Sequence, residues 1–183
     1  KYGPYTTGGA INFNSTPIPN EFDANINLFA GSHGFYNVHA NAGASFKNVG
    51  FMVESFLANS DGFKDLDNGG NTGFNTQDYL AKFRINSNPD AKVYQSLSFK
   101  IGLAKENSNE TYLGLTDEDF EDTPYRRYAG SQMDNMDNEQ NQWHIRYAVQ
   151  PAKFIDITTT LYHSNFERNW YKLDKVKAND STG

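Results

Sequence analysis

The sequence predicts an all-β chain whose antiparallel strands form part of a transmembrane β-barrel. Three observations carry that prediction. Apolar and polar residues alternate with a period of two over segments of about ten residues, the length a tilted strand needs to cross an outer membrane. The connections between those segments are tight at one end and long at the other, an asymmetry typical of outer-membrane barrels. Composition offers little for a packed core: 37% of residues are hydrophobic and mean hydropathy is −0.73, while 15% aromatic residues and 15 glycines suit strands and turns. A barrel wall tolerates this because only alternate side chains meet lipid.

Seven strands follow in order. In segment 24–30, Ala24, Ile26, Leu28 and Ala30 alternate with Asn25 and Asn27. Segment 36–46 sets Tyr36, Val38, Ala40, Ala42, Ala44 and Phe46 against Asn37, His39, Asn41, Gly43 and Ser45. Segment 51–58 is a weaker member. Tyr79, Ala81, Phe83 and Ile85 then alternate with Lys82 and Arg84, and Leu97, Phe99, Ile101 and Leu103 with Ser98, Lys100 and Gly102. Trp143, Ile145, Tyr147 and Val149 repeat the pattern against His144 and Arg146, and segment 155–163 closes the series. Helical spacing fits none of these as well. The expected connections are short at 31–35, 47–50, 87–92 and 151–153, long at 59–76 and longest at 106–140. Tyr36, Phe46, Phe51, Tyr79, Phe154, Phe166 and Trp170 stand near strand ends, where aromatic girdles form.

No run approaches the roughly 18 apolar residues of a membrane-spanning helix. Seven strands do not close a bacterial barrel, whose strand number is even and starts at about 8. The first residue is not Met, no signal peptide precedes the strands, and residues 179–183 read as loop. The expectation is therefore a partial chain, its remaining strands lying beyond residue 183 or coming from another chain.

A net charge of −6, a pI near 5.1 and the lack of any basic run argue against a nucleic-acid partner. With no cysteine there is no disulfide framework or thiolate metal site. His33, His39, His144 and His163 share no metal-ligand spacing, and no nucleophile elbow, phosphate loop or dinucleotide fingerprint occurs. The expectation is not an enzyme. Asp61, Asp65, Asp67, Asn68 and Asn71, and the acids of 117–122, offer oxygen ligands without EF-hand spacing, and a solvated loop is the favoured account.

At the N-terminus, Tyr2-Gly3-Pro4 leads through Gly8-Gly9 to Ala10-Ile11-Asn12-Phe13, followed by Pro17-Ile18-Pro19. Gly8-Gly9 permits the positive φ of a tight turn, 10–13 extends as a strand, and the prolines close it. This stretch resembles the end of the plug domain in TonB-dependent receptors. Gly62-Phe63-Lys64, Leu66-Asp67, 69–74 and 78–82 resemble the third strand, second external loop and fourth strand of ferric-dicitrate-type receptors. Segments 111–116 and 124–128 resemble the third external loop of that branch.

The resemblance implies that residues 1–20 finish a plug and 21–183 begin a 22-stranded, plugged barrel in the bacterial outer membrane. It implies uptake of a ferric chelate such as ferric citrate, driven by the TonB energy-coupling complex, whose contact segment would precede this chain. Iron is then cargo, and no resident cofactor or metal is expected. Arg126 and Arg127, flanked by Tyr125 and Tyr128, are the candidate carboxylate receptors, since guanidinium groups pair bidentately with carboxylates. The bland reading pairs them with the acids just upstream. Lys82, Arg84, Lys100, His144 and Arg146 fall on the polar phase and would face the lumen, to guide an anion, pack against the plug or serve as plain lumen hydrogen-bonding groups. Other cargo, a sugar oligomer or cobalamin, is the alternative within the family, with Tyr112, Tyr125, Tyr128 and Trp143 as aromatic platforms for a sugar. A soluble all-β binding or adhesion domain is the alternative outside it.

Overall fold

The computed structural model describes residues 7–9, 11 and 13–176. Each alternating segment becomes a strand hydrogen-bonded antiparallel to the next alternating segment, the commonest arrangement for consecutive strands, whether the connection is short or, at 61–73 and 109–134, long. The main sheet consists of β1 (Asp23–Ala30), β2 (Tyr36–Ser45), β3 (Val49–Ser60), β5 (Phe74–Asn86), β6 (Tyr94–Ser108), β8 (Asn135–Ala152) and β9 (Ile155–Tyr171). They pair as one seven-stranded antiparallel meander in that order, and the sheet is open. Two-residue strands β4 (Asp65–Leu66) and β7 (Arg126–Arg127) form a separate parallel pair. A one-turn helix α1 (Asp117–Asp122) and a 3-10 turn at Ala129–Met133 lie in the longest loop.

All seven expected strands are present, and several run further than alternation indicates. β6 continues to Ser108, β8 begins at Asn135 and β9 reaches Tyr171, so the loop expected over 106–140 shrinks to 109–134. Glu106, Asn138 and Arg168 pair in one row of those extensions. Both faces are polar there, so the period-two signal fades although the backbone ladder does not. Pro151, expected in a turn, sits inside β8, where the register breaks between Val149 and Ala152 and a missing N–H does no harm. Tight turns at 46–48, 87–93 and 153–154 occupy one end of the sheet, and loops 31–35, 61–73 and 109–134 the other.

Apart from the break between Val149 and Ala152, the register keeps the faces aligned from β1 to β9. Ala44, Phe51, Phe83, Phe99, Ile145 and Leu161 form one row, and Ala42, Val53, Ala81, Ile101, Trp143 and His163 the next. This apolar face is uncovered: Phe99 is 40% and Leu161 59% exposed. Among the described residues the buried hydrophobics are only Ala44, Met52 and Ala58. Among the described residues no second layer packs on the apolar face to make a core, so in water most of its apolar surface stays wet.

The loop-end margin of the apolar face runs obliquely. It is marked by Tyr36, Leu57, Tyr79, Leu103, Trp143 and Leu161 on successive strands from β2 to β9. Followed through the register it retreats from the row of Tyr36 to the row of Ala44. Roughly eight residues at about 3.4 Å each, over strand spacings of about 4.8 Å, make a slant of about 45° across the strands.

Gly9 has φ +114°, as the expected Gly8-Gly9 turn requires. Tyr2, Gly3, Pro4 and Asn12 of the N-terminal motif lie outside the described residues. The strand expected over 10–13 is not seen in its described members, Ile11 and Phe13, which carry no ladder and are 86% and 90% exposed. Phe166 and Trp170 also depart from expectation. They share rows with Gln140 and Met136 on the polar face, so they are no part of an apolar-face girdle.

Candidate functional site

The polar face carries the N-terminal segment. Glu54 is the only acid in β3, and its half-buried carboxylate collects two partners: His39 Nε2 at 2.7 Å and the Thr16 hydroxyl, which donates at 2.9 Å. Lys82 Nζ donates to the carbonyls of Ser15 (3.1 Å) and Thr16. The Ser45 hydroxyl donates to the Pro19 carbonyl at 2.6 Å and accepts from Arg84 at 3.1 Å. Residues 15–19 therefore lie across β2, β3 and β5. Gly43 makes the close approach possible, since a Cβ there would meet the Phe51 carbonyl at 2.6 Å and Pro19 Cδ at 2.8 Å. Met52, paired with Gly43 and Lys82, is 1% exposed.

The five expected polar-phase cations and imidazole share this face in two adjacent rows. Lys82, Lys100 and His144 stand side by side in one, and Arg84, Ser98 and Arg146 in the next. His144 stacks on Tyr162 at 6.0 Å. Lys82 and Arg84 are engaged by the segment or its anchor Ser45, whereas Lys100 and Arg146 have no carboxylate partner among the described residues.

No family model, curated protein or solved structure matches the chain. Geometry and residue chemistry therefore carry the functional argument.

At the loop end the two long loops are joined. The Asp65 and Asp67 amides donate to the carbonyls of Tyr125 and Arg127, at 2.8 and 2.9 Å. Arg126 forks onto Asp67 (2.8 and 3.1 Å) and reaches Asp119 at 2.8 Å. The bidentate guanidinium hydrogen bond holds the Asp67 carboxyl below the usual carboxylate range. The hydroxyl of Tyr128 does the same to Asp119, helped by the Arg126 charge. Arg126 also lies 5.3 Å from the Tyr128 ring. Phe63 meets Tyr125 edge-on at 5.9 Å, and Lys64 Nζ donates to Thr111 at 2.7 Å. Burial lowers the affinity of Lys64 for its proton.

The candidate arginines thus differ. Arg126 is held by two carboxylates, one of them in the upstream acidic run. Arg127 donates to the carbonyls of Pro124 and Arg126 and meets no carboxylate among the described residues. The candidate platforms disperse: Trp143 stacks on His163 at 5.9 Å on the apolar face, and Tyr112 sits edge-on to Trp170 with Lys172 Nζ 3.4 Å from its ring centre. Asp67 and Asp119 are committed to Arg126, and among the described residues no three acids or histidines gather as for a metal.

Sequence reasoning missed Glu54, although one acid in an apolar and aromatic strand is a readable signal. It also missed Asp134, which is 3% exposed and accepts from the amides of Tyr112 (3.2 Å) and Leu173 (2.8 Å). Nothing in the polar run around Asp134 marks it.

Proposed function

We propose that the chain is part of a TonB-dependent outer-membrane transporter that imports a ferric chelate, its sheet a stretch of barrel wall and the residues up to about 20 the end of a plug. The oblique apolar face carries the reading. A lipid slab demands a level apolar band, whereas barrel strands tilt by about 35–45°, so the band must cross the strands obliquely. The slant of about 45° meets that demand. A sheet packed against a protein layer has no such requirement.

Two further observations support the transporter reading over a bare pore. The segment 15–19 is tied to the polar face, where a plug would meet its wall. The long loops gather at the end opposite the tight turns and are joined there, as a capturing surface needs. In this reading Arg127 and Tyr125 contact the chelate, while Arg126 and Tyr128 hold the two loops together. TonB coupling rests on the resemblance of 2–13 to the plug end of TonB-dependent receptors, and the iron cargo on that of 62–64, 66–67, 69–74, 78–82, 111–116 and 124–128 to the ferric-dicitrate-type branch.

Calorimetric titration of the full-length protein in detergent with ferric citrate tests the proposal. Saturable binding that weakens in Arg127→Ala supports it. A folded, membrane-inserted protein that binds no ferric citrate keeps the barrel and removes the iron cargo.

A further inference from the structure

An open cavity of about 410 Å³ lies beside the N-terminal segment on the sheet; Pro17, Ile18, Phe83 and Phe99 give it a largely apolar lining, and Lys82, Lys100, His144 and Arg146 bring its positive and titratable groups. That volume is in the usual range for small-molecule pockets, about 300–1,000 Å³. Among the described residues no Asp or Glu lines it. The nearest acid in the adjoining row, Glu54, is already taken by His39 and Thr16.

This concentration of positive charge is costly as it stands. Lys82 and Lys100 are directly opposite across β5 and β6, and like charges in that position destabilise a sheet. Arg84 Nε is buried with no hydrogen-bond partner among the described residues. The chain as a whole carries −6, so the cavity runs against its average. Pro17 and Ile18 limit water on one side, which strengthens attraction for an ion of opposite sign. The Arg146 guanidinium can give a carboxylate two parallel N–H donors and the Lys100 ammonium a second point of positive charge, which suits an anion with more than one carboxylate better than a single spherical ion.

We infer that this cavity is a binding site for a small polycarboxylate anion, separate from the joined loops. The site lies towards the tight turns, since Lys82 and Arg84 are near the Asn86 end of β5. Resting on the transport reading, it is the later station: an anionic chelate released from the loop end meets Lys100 and Arg146 next to the segment that closes its way. The same cations that hold residues 15–16 through Lys82 lose repulsion when the anion arrives.

The test is calorimetric titration of the full-length protein in detergent with iron-free citrate. It compares the native protein with a Lys100→Gln/Arg146→Gln variant and with a charge-keeping Lys100→Arg/Arg146→Lys variant. Expected are saturable citrate binding by the native protein, weakening by at least about tenfold in the first variant, and retention in the second. The charge-keeping variant separates lost charge from lost fold. The inference is overturned if the native protein binds no citrate, as when a carboxylate of the plug already fills the cavity, or if both variants bind as the native protein does. Ferric citrate uptake by cells, measured in parallel, separates the two readings. Citrate binding without uptake sinks the transport assignment and leaves the site, whereas uptake without this binding sinks the site alone.

Discussion

Phe99→Arg discriminates a lipid-facing surface from a water-facing one. Phe99 is 40% exposed on the apolar face of β6, near the middle of the apolar stretch that ends at Leu103. If that face meets water, exchanging a half-exposed Phe for Arg changes stability by only about 0.5 kcal/mol. If it meets lipid, arginine near the bilayer midplane costs about 2–4 kcal/mol, falling to about 0–1 near the interface. Leu103 is four positions nearer the loops; at about 3.4 Å per residue and a tilt of about 45° that is about 10 Å, close to half of a band about 25 Å tall. Leu103→Arg should therefore cost about 2–3 kcal/mol less than Phe99→Arg. Ala104→Arg, on the polar face between Asp78 and Gln140, should cost less than about 1 kcal/mol. Guanidinium titration of the full-length protein folded into phospholipid vesicles, followed by tryptophan fluorescence, measures all three. A Phe99→Arg cost no larger than that of Ala104→Arg refutes the membrane assignment.

Arg126→Gln should separate the two long loops, read as faster hydrogen exchange at the Asp65 and Asp67 amides without loss of the main sheet. The same protection should depend on acid: Asp67 and Asp119 have folded pKa values below their unfolded ones, so their contribution is present above the usual carboxylate range and is lost as pH falls through the depressed values. Protection factors, the exchange rates divided by the intrinsic rate at each pH, that stay unchanged between neutral pH and about pH 2 contradict this. Asp134→Ala leaves the amides of Tyr112 and Leu173 without their acceptor; at about 1–3 kcal/mol for each buried group left unpaired, denaturant titration should show a clear loss. Gly43→Ala drives a methyl against the Phe51 carbonyl and Pro19, and should cost about 1–3 kcal/mol and raise proteolysis of residues 15–19. A neutral result places the segment elsewhere.

The sheet was legible because apolar and polar residues alternate within Tyr36–Ser45, Tyr79–Ile85, Leu97–Leu103 and Trp143–Val149. Legibility stopped where the physics that writes the pattern stops. In Asn135–Gln142 and Ser164–Tyr171 both faces are largely polar, so β8 and β9 continue on backbone hydrogen bonds that leave no period in the sequence. The shared polar face of Lys82, Arg84, Lys100, His144 and Arg146 could be read from parity, but not that the first two meet residues 15–19 or their anchor Ser45, or that the others line a cavity. Those facts depend on register between strands. Arg126 shows the same limit in the loops: its neighbour Asp119 was foreseeable from the acidic run, whereas Asp67 comes from a loop 59 positions away.

The attachment of residues 15–19 bears on how such a segment is released. Its partners are mostly main-chain carbonyls, of Ser15, Thr16 and Pro19, met by Lys82 and Ser45. A side-chain change within the segment would leave those contacts intact, so the hold depends on the wall's residues. Each neutral bond is worth about 0.5–1.5 kcal/mol net and each charged one about 1.5–3. Release therefore costs several kcal/mol rather than tens, and Lys82 is its largest single contributor. Because Lys82 also faces Lys100 in the cationic cavity, an anion bound there changes the field at the group that fastens the segment. Occupancy of the cavity and attachment of the segment are thus coupled through one ammonium, and by linkage each must bias the other to the same degree.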